Sequence, residues 1–372
     1  MKVVVTGLRG FPNIQGGVET HCEELYPRLA KLGCEVTVVR RKGFVQENPP
    51  LAEYRGVKFK DIQSPRITGL EAALHTFASI LYAKRVRADI LHIHAIGPAI
   101  NVPIAKLLGL KVVVTHHGPD YDREKWGFLA RNIIKMGEYF TAKLADRIIA
   151  ISTVITGILE KKYKRTKNVS LIYNGVTILP GSTSTNYIEK LGLKPNKYIL
   201  AVGRFVEEKR FDKLIEAYVK ANCTDYSLVL AGDADYETSY SYYLKNFAEE
   251  NQVTLTGIVK GEKLYQLYNN AALFVLPSSH EGLPITLLEA MSYKRKVLAS
   301  DIPANLAVGL PENVYFKLDD QKDFIKRLNE RLNDPSLTAE YDLTSYNWDH
   351  IAEEVLGVYL SLTNPQRRHT ES

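Results

Sequence analysis

Cysteine, methionine and tryptophan are scarce in this chain of 372 residues, at three, three and two. Cys22, Cys34 and Cys223 stand far apart with no Cys-x-x-Cys pair, which excludes a disulfide framework and a thiolate zinc site. A reducing cytoplasm is the compartment this usage fits. No apolar run approaches the ~20 residues of a membrane-spanning helix. The apolar stretch after Lys2 is too short for a signal-peptide core. There is no Gly-Lys-Ser/Thr P-loop, no His-Glu-x-x-His, no zinc finger and no RNP-type aromatic pattern, so nucleic acid is not an expected partner.

What is present is the composition of an ordinary soluble globular protein, 45% hydrophobic and 24% charged. Only the polar tail 364–372 has the character of a disordered segment. The length exceeds one comfortable core and suits two domains. The net charge of +6 is unevenly spread. Up to Asn174 there are 27 lysines and arginines against 15 acidic residues, a net +12, and the rest has 21 against 27, a net −6. A basic half fits either a solvated cationic surface or an anionic partner such as a membrane face or a phosphate-bearing acceptor.

The pattern along the chain is strand then helix, repeated. Strands are predicted at 2–6, 35–39, 57–62, 89–94, 111–115 and 147–151. Val18, Cys22, Leu25 and Leu29 fall on one face of a helix that ends at Gly33. Val112-Val113-Val114 is apolar on both faces, as in a parallel sheet covered by helices. The alternation pauses over 173–197, a stretch with Asn174-Gly175, Pro180-Gly181 and a Ser/Thr run, which reads as a linker. It restarts with strands at 199–202, 227–231 and 273–276 and helices at 213–219, 240–249 and 284–292. The fold class is therefore α/β, with two Rossmann-like, doubly wound parallel-sheet domains in series. The predicted division is 1–174, 175–345 and a last segment 346–372. That segment's helix, over 349–362, could pack on either domain.

Ligands of such sheets bind at the carboxyl ends of the strands. After the first strand come Gly7-Leu8-Arg9-Gly10 and then Gly16-Gly17 before the helix, a loop suited to a phosphate or simply to a tight turn. After the strand at 199–202 come Gly203, Arg204 and Lys209. This cation pair suits a diphosphate, and a solvated cluster is the alternative. After the strand at 273–276 come Glu281, Gly282 and Leu283, and then a helix carrying Glu289. The helix amides favour an anion, and the two carboxylates suit sugar and ribose hydroxyls. His92, His94, His116 and His117 cluster where two strands end, without the spacing of a metal motif, so no metal is expected. Trp126, Phe128, Ile133, Met136 and Phe140, interleaved with Arg123, Lys125, Arg131 and Lys135, read either as core packing or as an interfacial helix.

Glu281 to Glu289 is the E-x7-E spacing of retaining glycosyltransferases with the GT-B fold, in the large family numbered four, and Gly203-Arg204…Lys209 resembles that family's diphosphate motif. The opening 7–20 and Thr115-His116-His117-Gly118-Pro119-Asp120 resemble a capsule and O-antigen subgroup that includes rhamnosyltransferases. The segments 146–152 and 173–176 match further landmarks, so the likeness covers most of the chain. It implies two domains facing a central cleft, with the last helix crossing back to the first. Gly16 and Gly17 would lie against the donor. Arg204 and Lys209 would neutralise the leaving diphosphate, and Glu289 would hold the ribose. Glu281, His117 and the amides around Gly282 and Leu283 would meet the transferred sugar. Asp120, Arg123, Lys125 and Trp126 are the acceptor-side candidates. Two departures stand out. Arg210 follows Lys209 where the family often has glycine, and Asn305-Leu306-Ala307 replaces an acidic position after Asp301.

The expected activity is metal- and cofactor-independent transfer of a sugar, with retention, from a nucleotide sugar to a saccharide acceptor. A lipid-linked acceptor at the inner face of the cytoplasmic membrane fits the basic half. A nucleotide-sugar epimerase or hydrolase of the same fold, and an inactive nucleotide-sugar-binding regulator, are the alternatives.

Overall fold

Strand–helix alternation builds two separate parallel sheets. The structure, a computed structural model, describes residues 1–14, 16–45, 47–64, 71–122, 127–176, 184–234 and 236–363. The chain divides into one unit of Met1–Gly175 with Tyr346–Ser372, and a second of Val176–Ser345.

In the first unit the strands are β1 (Lys2–Thr6), β2 (Glu35–Arg41), β3 (Glu53–Tyr54), β4 (Val57–Ile62), β5 (Ile90–His94), β6 (Val112–His116), β7 (Arg147–Ala150) and β8 (Val169–Leu171). The helices are α1 (Gly17–Lys31), α2 (Glu71–Arg85), α3 (Val102–Leu107), α4 (Phe128–Leu144) and α5 (Thr153–Tyr163). The sheet order is β3-β4-β2-β1-β5-β6-β7-β8, parallel throughout except for the β3/β4 edge. Val3, Val4 and Val5 of β1, and Val112, Val113 and Val114 of β6, are fully buried, because helices cover both faces of the sheet. The terminal helix Trp348–Thr363 belongs to this unit. Its Trp348, Ile351, Val355 and Tyr359 join Leu25, Tyr26 and Leu29 of α1 in one core. Each such side chain contributes ~1.5–3 kcal/mol by leaving water, so the helix is held by its apolar stripe. Arg28 to Asp349 at 2.8 Å is an exposed ion pair of small effect.

The second unit holds β9 (Tyr198–Val202), β10 (Ser227–Ala231), β11 (Thr254–Leu255), β12 (Leu273–Leu276), β13 (Val297–Ser300) and β14 (Tyr315–Phe316). Around them lie α6 (Asn186–Lys190), α7 (Phe211–Lys220), α8 (Ser239–Glu250), α9 (Glu262–Asn269), α10 (Ile285–Ser292), α11 (Pro303–Leu306) and α12 (Gln321–Asn333). The order β11-β10-β9-β12-β13-β14 is parallel at every pairing. Thr238 caps α8 and Asp320 caps α12 through their side-chain oxygens.

In both sheets the strand order reverses at the middle, at β1/β5 in the first unit and β9/β12 in the second, while the strands stay parallel. The loops leaving those strands diverge there, which opens the crevice where doubly wound sheets take their ligands.

Several expectations need correction. The short helix α6 interrupts the segment read as linker. Helix α10 begins at Ile285, so Glu289 sits just over one turn inside it. Phe128 and Met136 are not core: they are 84% and 49% exposed, and α4 buries Ile134, Gly137 and Thr141 instead. Arg210 adopts a left-handed conformation, φ +51, as the residue before α7. Glycine is the residue that takes this backbone without strain, so the departure carries a small cost. Asn305 is buried, and its amide donates to the carbonyl and hydroxyl of Ser300 at 3.0 Å. Ser300 in turn donates to the Ser278 carbonyl, so Asn305 braces the ends of β12 and β13.

Candidate active site

In the second unit, the loops after β9 and β12 meet at the sheet's switch point. The Ser279 amide donates to the Glu208 carbonyl at 2.9 Å. Lys209 Nζ reaches Glu281 Oε1 at 2.5 Å, with only 15% and 12% of the two side chains exposed. A Cβ on Gly203 would meet the Phe211 ring at 3.3 Å and the Lys209 stem at 3.4 Å, so the lysine stem runs close along the glycine. Arg204 lies half-buried in the same loop. Gly282 and Leu283 form the turn into α10, with Leu283 buried. Their amides stand at the positive end of that helix.

Glu289 accepts a hydrogen bond from the Tyr268 hydroxyl at 2.7 Å. Tyr268 is itself fully buried and stacked on Tyr293. Burial pushes the Glu289 carboxyl up to about 7, with the Tyr268 bond acting in the opposite direction. An edge of the residue still reaches solvent. The site thus combines a paired lysine, an acid poised near neutrality and a helix start. Such an arrangement can take a phosphate anion at one end and a diol at the other.

In the first unit, Gly16 precedes α1 with φ +153, and a Cβ there would strike the Glu19 carboxylate at 2.1 Å. Glu19, in the first turn of α1, accepts from the Arg9 amide and from Arg9 Nε, both at 3.1 Å. The glycine loop is therefore held by a carboxylate at the helix start and an arginine over it. Gly17 is exposed.

His117, at the end of β6, joins a buried aromatic array. Its Nε2 lies 2.9 Å from His94 Nδ1, and His94 Nε2 lies 2.5 Å from the Tyr26 hydroxyl. That hydroxyl is 2.9 Å from His92 Nδ1, which also meets the Tyr359 hydroxyl at 2.6 Å, and His92 Nε2 meets Thr115 at 2.7 Å. His21, on α1, packs its ring 5.1 Å from that of His117 and 5.4 Å from Trp348. Desolvation lowers His92 and His117 to about 3 and holds His21 and His94 well below the ordinary value; neighbouring imidazoles add to each shift. Sequence reasoning singled out His92, His94 and His117 but not His21, which reads as one more position on the core face of α1.

His116 turns away from this array. Its Nε2 lies 3.1 Å from Glu138 of α4, which also takes Tyr121 at 3.1 Å, Lys162 at 2.6 Å and Tyr163 at 2.5 Å. Burial would raise the Glu138 carboxyl, but these bonds outweigh it and hold the group at about 2. This network fixes the loop after β6, where Asp120 opens a short 3-10 turn. Arg123, Lys125 and Trp126 lie outside the described residues.

Comparison with known proteins follows the division of the chain. Residues 15–178 match the family described as Glycosyltransferase Family 4, and residues 183–348 match Glycosyl transferases group 1. The alpha-maltose-1-phosphate synthase of Mycolicibacterium smegmatis is 25% identical over 96% of this chain and 99% of its own length. The UDP-Gal:alpha-D-GlcNAc-diphosphoundecaprenol alpha-1,3-galactosyltransferase of Escherichia coli is 27% identical over 76% of this chain and 77% of its own. The structure of Anabaena HepE in complex with UDP-glucose is similar in fold, with a TM-score of 0.75 at 18% identity, covering 98% of this chain and 99% of that one. With both halves matched in order and two doubly wound parallel sheets, the chain belongs to the GT-B glycosyltransferases of the family 4 and group 1 type.

Proposed function

We propose that the chain transfers a sugar, with retention of configuration, from a nucleoside-diphosphate sugar to a hydroxyl of a lipid-linked saccharide during cell-surface polysaccharide synthesis. The observation that carries this reading is the Lys209–Glu281 pair at the β9/β12 switch point, beside the start of α10. A diphosphate entering there takes the lysine over from the carboxylate and compensates its charge.

On this reading the bond from the anomeric carbon to the phosphate oxygen breaks as the acceptor oxygen bonds on the same face. The departing diphosphate accepts the acceptor's proton. Arg204, Lys209 and the amides of Gly282 and Leu283 stabilise the charge growing on the diphosphate. Glu289 accepts hydrogen bonds from the ribose. Glu281, released by Lys209, contacts the transferred sugar. Two cations replace the electrostatic role a divalent ion would play, so the chemistry needs no metal.

Support for a lipid-linked acceptor comes from the outer face of α4. Phe128 and Leu129 are 84% and 74% exposed, followed by Arg131, Lys135, Met136, Tyr139 and Lys143, with no exposed acid on the helix. This is the composition of a helix lying on an anionic membrane surface. No helix among the described residues is long and apolar enough to cross a membrane. The E. coli relative's name specifies a diphosphoundecaprenol-linked acceptor.

The direct test is transfer from a panel of nucleotide sugars with purified Arg204→Ala and Glu289→Ala. Each is expected to lower turnover at least about ten-fold, roughly 1.4 kcal/mol. Near-normal transfer by both variants would defeat the assignment.

A further inference from the structure

We propose that His21, His94 and His117 form a binding site for one divalent transition-metal ion of the zinc, cobalt or nickel type, at the carboxyl end of the β1/β5 switch point in the first unit. Each of the three offers a ring nitrogen, and the three nitrogens lie within 4.8 Å of one another. A tetrahedral ion with imidazole bonds of about 2.0–2.1 Å spaces its nitrogens by about 3.3 Å. His94 Nδ1 and His117 Nε2 are already 2.9 Å apart, so an ion opens that pair slightly and draws the three nitrogens to one common spacing.

His21 is the observation that turns a cluster into a site. It is 3% exposed, and among the described residues neither of its ring nitrogens has a hydrogen-bond partner. The Asn174 side chain lies close enough to act on the ring, and among the described residues its Oδ1 makes no full hydrogen bond. A buried polar group without a partner is costly, and a ligand between the three rings would recover that cost. The supporting layer is in place as well. The Tyr26 hydroxyl at His94 Nε2 holds that ring with Nδ1 toward His117, as a metal-binding imidazole requires of its second nitrogen. Tyr26 is anchored in turn against His92, and His92 against Thr115.

The donor set selects the ion. Three imidazoles and no carboxylate suit zinc, cobalt, nickel and copper, and offer little to magnesium or calcium. Three protein ligands leave a fourth position for water. His117 is the least buried of the three, so the ion enters on its side. The consequence for catalysis rests on the function proposed above. An ion on His117 Nε2 takes the imidazole that would contact the transferred sugar, so occupancy lowers transfer.

The test uses metal-stripped full-length protein, titrated with Co²⁺ followed by its visible absorption and with Zn²⁺ followed by calorimetry. One ion per chain is expected, with no response to Mg²⁺. His21→Gln and His21→Phe, with folding checked by circular dichroism, are each expected to weaken binding at least about ten-fold. Substoichiometric binding to the wild type, or unchanged affinity in the folded variants, overturns the proposal. If both variants unfold, X-ray absorption of the bound ion decides: three imidazole ligands are expected, and fewer overturn it. None of these readouts depends on sugar transfer, so they fail or succeed separately from the transferase reading.

Discussion

Replacing Glu289 by glutamine is expected to make the ligand-free protein more stable in alkaline solution while impairing donor binding. The carboxyl rises from its ordinary 4.5 to about 7 because burial penalises its charge. A carboxyl raised in this way favours the folded state fully below about pH 4.5, and that contribution is lost as pH rises through about 7. The shift corresponds to about 3 kcal/mol at about 1.4 kcal/mol per pH unit. Screening at the accessible edge leaves about 2 kcal/mol. Glutamine keeps the shape and the oxygen that Tyr268 needs, and it never ionises. For a unit of this size the gain at pH 8.5 is about 4–8 °C in Tm, against little difference at pH 4.5. Differential scanning calorimetry at the two values measures it. An equal gap at both, or a variant less stable at pH 8.5, would refute the reasoning. The ionised carboxylate is also the better acceptor for a ribose diol, so wild-type affinity for a nucleoside diphosphate should rise as pH passes 7. The Gln variant should lose that rise.

Two further outcomes follow from the fold. Arg210→Gly relieves a left-handed backbone and gives up only an ion pair to the exposed Asp319. It should be neutral or stabilising by up to about 1 kcal/mol in urea unfolding, and a loss above that would show that the pair dominates. The exposed face of α4 should bring the protein to vesicles containing anionic lipid at low salt and release it at high salt, while Phe128→Ser with Lys135→Glu should abolish flotation. Absence of wild-type flotation at low salt would remove the membrane surface from the proposal.

The sequence alone announced the architecture wherever one element carried its own signal. The valine runs of β1 and β6 marked buried parallel strands, and residues that follow β9 and β12 were assignable from the sequence to the ligand-binding end of a sheet. Strands β11 and β14, of two residues each, left no periodicity to read, because neighbouring strands define them. Arg210 shows the limit in miniature: its departure from glycine was visible in the sequence, but the left-handed backbone that makes glycine usual there was not.

Tertiary structure alone decided what depends on contacts across the chain. It paired Lys209 with Glu281, laid the terminal helix on α1 and carried His21 to His94 and His117. Residue spacing encodes which face of a helix is apolar. It does not encode which distant strand end that face will meet, because sheet order sets that meeting and the burial of many side chains together holds it. A histidine on the core face of α1 therefore looks like packing in the sequence and, once folded, stands beside two others.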